Sequence, residues 1–432
     1  MDRRRFLGSS LTASAGVLAG SRLASARVVG ANDRIRVGVI GTGGRARGLM
    51  RQLKDLPGAQ MVAVSDVYEP RMLEAAEIAG GSPARHLDYR RILEDKEIDA
   101  VLIGAPDHWH KTMTLDAVAA GKDVYVEKPV SHSIEEGEAM VKAVEASTQV
   151  VQTGTQQRSW EHFILGKQIV DSGKLGRVTF VQTYWYQLAT GPIAPKGPGG
   201  RALPEIDTGK LDWKRWLGAA PDQPFVAERF LRWRHFKDFG GGMLTDLLTH
   251  WIDVVHWYLG VTTPQSAVTT AHNYLMKTWE WPDAATTTLE YPKDFLVTHT
   301  GTYGSSIDDG GLEFRGDQAT LKVDRERLLV FNEESRRSGW RNTPEPEIAI
   351  RSQGDGSVAH LRNWLDCIRS RKTPNASMRV GHEAVRAAHI ANAAIAAGGR
   401  VRFEEKTGKV WSMSTEAAFP PPYVGEDRRG GR

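Results

Sequence analysis

The sequence predicts an α/β protein in two parts. Residues 31–155 read as a doubly wound parallel sheet, and residues 156–405 as an α+β unit with a large, mostly antiparallel open sheet. Three observations predict this. Short apolar runs alternate with helix-length segments from Arg34 to Thr155, the pattern of strands joined by crossover helices. A glycine-rich turn, GTGG (41–44), links the first such run to the first helical stretch. Beyond residue 265, strand-like runs follow one another without intervening helices, which favours antiparallel pairing. The 432 residues suffice for two sizeable cores.

The elements follow in order. RIRVGVIG (34–41) is an apolar run ending in glycine, followed by a helix to about Leu56. AQMVAVSD (59–66), DAVLIGAP (99–106), the run in DVYVEKPVS (123–131) and QVVQTGT (149–155) are further strands, with helices to Ala120 and over 134–147 between them. GRVTFVQTYWYQ (176–187) opens the second part as a strand. Residues 188–224, rich in Gly and Pro, read as a surface excursion. A helix over about 243–259 precedes four or five strands ending near Asp324; residues 332–356 read as a loop. Helices near 357–371 and 380–397, a short strand at GRVRFEE, and an aperiodic tail from Lys406 complete the chain.

Composition narrows the function classes. Fifty-six basic and 52 acidic residues give a net charge of +4, so there is no basic field for nucleic acid. The single cysteine, Cys367, follows NWLD in a helical pattern and reads as core. No segment approaches the ~18 uninterrupted apolar residues of a spanning helix, so stable membrane insertion is not expected. Residues 1–30 stand apart: DRRRFLGSS, a short weakly apolar run to Gly20, and Ala24-Ser25-Ala26 resemble a twin-arginine export signal, which implies a periplasmic or secreted protein. A disordered basic tail is the alternative. The twin-arginine route carries folded proteins, which suits a chain that traps a cytoplasmic cofactor before export. No His, Cys, Asp or Glu cluster has metal-ligand spacing; His250 and His256, six apart, fall on different helix faces, and no metal is expected.

Two stretches carry the cofactor argument. In VGVIGTGGRARG (37–48), Gly41, Gly43 and Ala46 fit G-x-G-x-x-A after a strand and before a helix, with Gly44 beside them. Glycine lets the backbone turn sharply and approach a pyrophosphate, and the helix start offers free N–H groups. Asp66 ends the next strand, where a carboxylate accepts from ribose hydroxyls. That carboxylate favours NAD; Arg71 close by leaves NADP open. APDHWH (105–110) lies at the carboxyl end of its strand, beside the cofactor: Pro106 ends the strand, and His110 starts a helix as either a site residue or a cap.

Two other stretches carry groups suited to catalysis. DVYVEKPVS ends a buried strand with Glu127, Lys128 and Pro129 at the ligand-facing edge. A lysine there can hold or donate a proton to a substrate oxygen, and the glutamate can bond a ribose or position the lysine; a solvated Glu–Lys pair is the alternative. In GGGMLTDLLTHWIDVVHWYLG (240–260), Asp246, His250, Asp253 and Trp257 recur on one helix face. A histidine one turn from an aspartate suits general-base work, and a satisfied core histidine is the bland alternative. Arg158, Trp185 and Trp233 lie in segments dense in aromatic and basic residues, of the kind that line carbohydrate sites and equally pack cores or subunit interfaces.

Together these motifs resemble the Gfo/Idh/MocA family of nicotinamide-dependent oxidoreductases, from IRVGVIGTGG through VYVEKPVS and GGMLTDLLTHWIDVVHWYLG to HLRNWLDCIRSRKTPNASMRVGH. The resemblance implies an N-terminal Rossmann domain, a C-terminal domain whose open sheet mediates a dimer or tetramer, and sugar, polyol or related substrates. It implies that Lys128 is the catalytic or substrate-orienting lysine, and that Asp246 and His250 form an Asp-x-x-x-His pair with His250 as acid/base. Leu248 stands where many members carry a small residue, and so is expected to reshape the pocket. Export implies tightly held, internally regenerated NAD. That leaves an oxidoreductase coupling two sugars, or a glycosidase using transient sugar oxidation and elimination; the intact Glu127-Lys128-Pro129 favours the oxidoreductase. A binding protein that holds NAD and ligand without turnover is the third reading, disfavoured because Lys128 and His250 are both present.

Overall fold

A computed structural model of the protein describes residues 34–188, 203–334 and 345–413. The expected export signal lies outside these residues, as do 189–202 of the expected surface excursion and 414–432 of the expected tail.

The first sheet has six strands: β1 (Ile35–Ile40), β2 (Ala59–Ser65), β3 (Ala84–His86), β4 (Ala100–Ile103), β5 (Asp123–Val126) and β6 (Val151–Thr153). All pair in parallel, in the order β3-β2-β1-β4-β5-β6. The chain winds outward from β1 in one direction and from β4 in the other, so the carboxyl ends of β1 and β4 flank a crevice where ligands bind. Strand β4, AVLI, and β5, DVYV, are buried at every position, as strands covered by helices on both faces must be.

Helices α1 (Gly44–Lys54), α2 (Glu69–Ala79), α3 (Arg90–Glu94), α4 (Asp107–Ala119) and α5 (Ile134–Glu145) cross between these strands, and α6 (Glu161–Asp171) leads out. Ser133 caps α5 by accepting from Glu136 N, which satisfies one of the free amides at the helix start. One face of the sheet is completed by a helix from far along the chain. Leu361, Trp364 and Leu365 pack with Leu49, Leu53 and Tyr125, and Cys367 lies in the same buried cluster. Truncating the fully buried Trp364 to alanine would cost about 3–5 kcal/mol.

The second sheet has ten strands in the order β14-β13-β12-β11-β7-β10-β9-β8-β15-β16. They are β7 (Val178–Tyr186), β8 (Ser266–His272), β9 (Ala284–Glu290), β10 (Leu296–Thr302), β11 (Gly310–Gly316), β12 (Ala319–Asp324), β13 (Arg327–Asn332), β14 (Ile348–Arg351), β15 (Val401–Glu404) and β16 (Lys409–Ser412). Only β7 and β10 run parallel. Alternation of buried and less buried residues along β9 and β10 shows one more deeply covered face. Short helices α7 (Trp213–Leu217) and α8 (Ala227–Leu231) join this sheet's core, and α9 (Thr249–Leu259) packs on it; α10 (Gly356–Ser370) is the Trp364 helix that covers the first sheet, and α11 (Met378–Ala397) packs on the second.

The structure corrects four details. Strand β16 lies within the expected aperiodic tail, and β14 within the expected loop 332–356. Both are four-residue edge strands, too short to register as periodic. The expected surface excursion contains α7, whose Trp216 and Leu217 are buried in the main core. The expected helix at 243–259 opens with a π-turn over Leu244–Leu248 before α9. That wider turn shifts the faces of the residues beyond it.

Candidate active site

A groove of about 230 Å³ runs along the carboxyl ends of β1, β2 and β4. Its floor is the GTGG turn. Gly41 has φ +75°, and a Cβ there would lie 2.6 Å from Ala105 N, so glycine is required. A Cβ at Gly44 would meet nothing within 4 Å, and one at Gly43 only Gly104 O at 4.0 Å; the backbone lies bare beside open space. Gly43 caps α1 without a side-chain bond, so the first amides of the helix face the groove unsatisfied. Ala46 is fully buried, and a Cβ on Gly104 would sit 2.7 Å from its own: helix and strand touch. Asp66 Oδ2 accepts from Thr42 N at 2.7 Å and Thr42 Oγ1 at 3.0 Å, while Oδ1 accepts from Tyr68 N at 2.9 Å. These bonds leave acceptor capacity for a ribose. Pro106 and Arg71 also line the groove; the Arg71 guanidinium lies 4.5 Å above Phe230, and burial pushes it down against the pull of Asp66. This bare, positive helix start with a carboxylate beyond it fits a dinucleotide.

A second cavity, about 190 Å³, adjoins the groove; Arg45, Ala105 and Trp233 line both. Here Lys128 Nζ donates to Asp246 Oδ1 at 2.6 Å and to Asp246 O at 2.7 Å. Arg234 Nε reaches the same carboxylate oxygen at 3.2 Å. Burial alone would push Asp246 up, but Lys128 and Arg234 more than reverse this and hold it well below the usual carboxylate range. Glu127 is taken up by Arg45 Nε at 2.8 Å and by Lys128 N at 3.1 Å. These bonds fix the turn that carries the lysine. Glu127 lines this second cavity and not the groove.

His250 is 5% exposed, its ring 5.6 Å from that of Trp185. Nδ1 lies 3.3 Å from Gln157 Oε1. With the amide oxygen as acceptor, Nδ1 carries the proton and Nε2 keeps a lone pair. Burial, then the charges of Lys128, Arg325 and Arg45, hold its pKa well below the usual histidine value, so the ring is neutral at pH 7. Asp107, at the start of α4, is pushed up to about 8 by burial, against the pull of Arg234 and with the help of Asp246. It is mostly protonated at neutrality.

Several expectations change. Asp246 and His250 do not bond each other: the carboxylate serves Lys128 and Arg234, and the imidazole faces Gln157. His110 does not start its helix. It lies one turn inside α4, its nitrogens 2.7 Å from Pro129 O and 2.9 Å from Ala105 O, tying the Glu-Lys-Pro turn to the end of β4. Arg158 lines neither cavity; Nε donates to both Asp253 oxygens at 2.8 and 3.0 Å, and its guanidinium lies 5.5 Å from Trp257. The polar stripe splits into an active-site half and a buried ion pair. Leu248 is fully buried in the core, and Leu247 lines the cavity in its place, because the π-turn rotates these positions. Trp185 and Trp233 do line it.

Sequence reasoning missed Arg45, Asp107, Gln157, Arg234 and Arg325. Four sit inside stretches already singled out, next to the residues chosen: Arg45 follows GTGG, Asp107 is in APDHWH, Gln157 precedes Arg158, and Arg234 follows Trp233. Arg325 sits in the two-residue turn between β12 and β13 and has no local signal.

A doubly wound sheet with a bare glycine turn at its switch point and a second cavity beside it is the architecture of a dinucleotide-binding protein. Two family models agree: the NAD-binding Rossmann-fold model of the Gfo/Idh/MocA oxidoreductases matches residues 35–155, and the C-terminal α/β model of the same family matches 208–403. The chain belongs to the Gfo/Idh/MocA family and is an NAD-dependent oxidoreductase. It is 24% identical over 325 residues to scyllo-inositol 2-dehydrogenase (NAD(+)) of Bacillus subtilis (strain 168), covering 74% of this chain and 81% of that one. It is 31% identical over 190 residues to inositol 2-dehydrogenase 2 of Saccharopolyspora erythraea, but that match covers only 42% of this chain and 53% of the relative. Levoglucosan dehydrogenase in complex with NADH and levoglucosan has the same fold, with a TM-score of 0.66 at 19% identity over 85% of this chain and 99% of that one. Myo-inositol 2-dehydrogenase from Lactobacillus plantarum gives 0.63 at 19%, over 86% and 100%.

Proposed function

We propose that this protein oxidises a secondary hydroxyl of a sugar, polyol or sugar derivative, with Lys128, Asp246 and His250 managing the proton. The observation that carries the reading is the meeting of a paired lysine and a neutral histidine in a small cavity that shares a wall with the dinucleotide groove. The inositol and levoglucosan dehydrogenases it resembles support the substrate class.

Gly43, Gly44 and the start of α1 hold the pyrophosphate, and Asp66 holds the ribose. When bound, the nicotinamide supplies the hydride acceptor. Nε2 of His250 takes the hydroxyl proton, for which a neutral ring with a free lone pair is needed. Lys128 donates a hydrogen bond to the same oxygen, and stabilises negative charge as it develops there. Asp246 aims Lys128 through its carboxylate and its backbone carbonyl. Trp185, Trp233 and Leu247 supply apolar wall around the reacting atoms.

Export through the N-terminal segment and assembly into a dimer or tetramer through the open sheet belong to the same proposal. An exported enzyme has no soluble NAD pool to draw on, so its nucleotide stays bound and is regenerated in place. The test is to denature purified protein and identify the released nucleotide and its redox state. One NAD(H) per chain supports a trapped cofactor. Protein that is empty, and turns over only with added NAD, argues for an ordinary exchanging dehydrogenase and against export.

A further inference from the structure

Four basic groups line the substrate cavity: Arg45, Lys128, Arg234 and Arg325. Three are matched by carboxylates, Arg45 by Glu127 at 2.8 Å, and Lys128 and Arg234 by Asp246 at 2.6 and 3.2 Å. Among the described residues Arg325 makes no ion pair, and its Nε is buried without a hydrogen-bond partner. The adjacent carboxylate is committed elsewhere: Asp324 Oδ1 accepts from Glu326 N at 2.7 Å and Arg327 N at 2.8 Å, and Oδ2 faces Arg327 Nε at 3.4 Å. Those bonds fix the hairpin turn, and with it the stem of Arg325.

A guanidinium stays charged at any pH a cell reaches, and an unmatched charge partly withdrawn from water is costly. Its ring contacts, with Cζ 4.7 Å from the Trp185 ring and 5.9 Å from the Trp251 ring, offset part of that cost and keep the group at the cavity wall. Asp309, Asp355 and Asp246 attract the guanidinium from a distance without pairing with it, and Asp107, which lines the cavity beside Glu127, is mostly protonated near neutrality. The cofactor phosphates do not pair with it either, because Arg325 lines the substrate cavity and not the dinucleotide groove.

We propose that the substrate is an acidic sugar, a uronate or aldonate, whose carboxylate docks on Arg325 while its reacting hydroxyl meets Lys128 and His250. This rests on the dehydrogenase reading above and names its substrate class. The planar fork of the guanidinium matches a carboxylate with two parallel hydrogen bonds, whereas a neutral hydroxyl would leave the charge unanswered.

The test compares matched pairs on NAD-loaded enzyme: D-glucose with D-glucuronate and D-gluconate, and D-galactose with D-galacturonate. Binding is measured by calorimetry, and the rate and half-saturating sugar concentration (KM) by reduction of the bound NAD in single turnovers. The expected result is that the acid of a pair binds and turns over better than its neutral counterpart, and that added salt narrows the gap. Arg325→Gln should raise KM for the acids roughly 10- to 100-fold, the loss expected of a charge-assisted hydrogen-bonded pair, and raise it less for the neutral sugars. Arg325→Lys, which keeps the charge but not the fork, should recover part of the loss. If Arg325→Gln does not fold, the wild-type comparison decides alone. Neutral sugars preferred over every acid would overturn the acidic-substrate inference and leave the dehydrogenase standing. No binding and no turnover of either kind would overturn both.

Discussion

Replacing Lys128 with alanine separates catalysis from stability, and the structure supplies both magnitudes. The lysine and Asp246 side chains are 11% and 16% exposed and meet at 2.6 Å. Removing one partner of a buried pair costs about 3–5 kcal/mol when the other is stranded. Here Arg234 remains 3.2 Å from the stranded carboxylate, so about 1–3 kcal/mol is the expected loss. Losing the group that assists proton transfer and charge development should lower kcat about 10²- to 10⁴-fold. NAD affinity should stay near wild type, because Lys128 does not line the dinucleotide groove. The stability difference should also depend on pH. The folded-state pKa of Asp246 is depressed, so its contribution is full above the ordinary carboxylate range and fades as pH falls through the folded value. Lys128→Ala weakens that depression, and the two proteins should therefore converge in strong acid. Urea unfolding at several pH values, NAD calorimetry and steady-state kinetics on a turned-over sugar measure all three quantities. A folded Lys128→Ala variant with kcat within about threefold of wild type would refute the reasoning, since positioned acid–base groups contribute far more than that.

Further outcomes follow from the same geometry. His250 is held neutral by burial and by the charges of Lys128, Arg325 and Arg45, so the acidic limb of kcat/KM should lie well below pH 6.5; Arg325→Gln removes a positive neighbour and should move that limb to higher pH, read from a pH–rate profile. Asp107 is pushed up to about 8, so its burial should erode stability as pH rises from about 4 toward 8; Asp107→Asn should remove that slope and gain on wild type at pH 9 in thermal melts. Asp66→Ala should weaken NAD binding roughly tenfold or more and narrow any preference over NADP, since Arg71 remains in the groove; equal NAD affinities would contradict the ribose assignment. Gly41→Ala would force a left-handed φ and a 2.6 Å contact with Ala105 N, and should abolish nucleotide binding or folding, seen by calorimetry and circular dichroism.

The dinucleotide half of the site was legible because its signals are local. A strand that ends in glycines and leads into a helix, with a carboxylate after the next strand, states its geometry within a few residues. Lys128 was legible for the same reason, as a charge at the end of a strand buried at every position. What failed depended on departures from ideal period or on distant packing. The π-turn at Leu244–Leu248 broke the single helical stripe, sending Asp246 to Lys128 and Asp253 to Arg158. Arg158 resembled a ligand-binding arginine in composition but became the counter-ion of a buried aspartate. Arg325 could not be found at all, because a tight turn between two strands joins the cavity only when the ten-stranded sheet forms. Strands β14 and β16, at opposite edges of that sheet, are too short for their alternation to stand out from loop sequence.

The most direct test of hydride transfer at this site uses sugars deuterated at the carbinol carbons. Enzyme loaded with oxidised NAD is mixed with a panel of deuterated hexoses and hexuronates, and the nicotinamide is recovered and weighed by mass spectrometry. The account predicts deuterium on the reduced nicotinamide and a ketone at the labelled carbon of the sugar. Turnover of sugar with the label kept on carbon or released to water, and none on the nicotinamide, would contradict it.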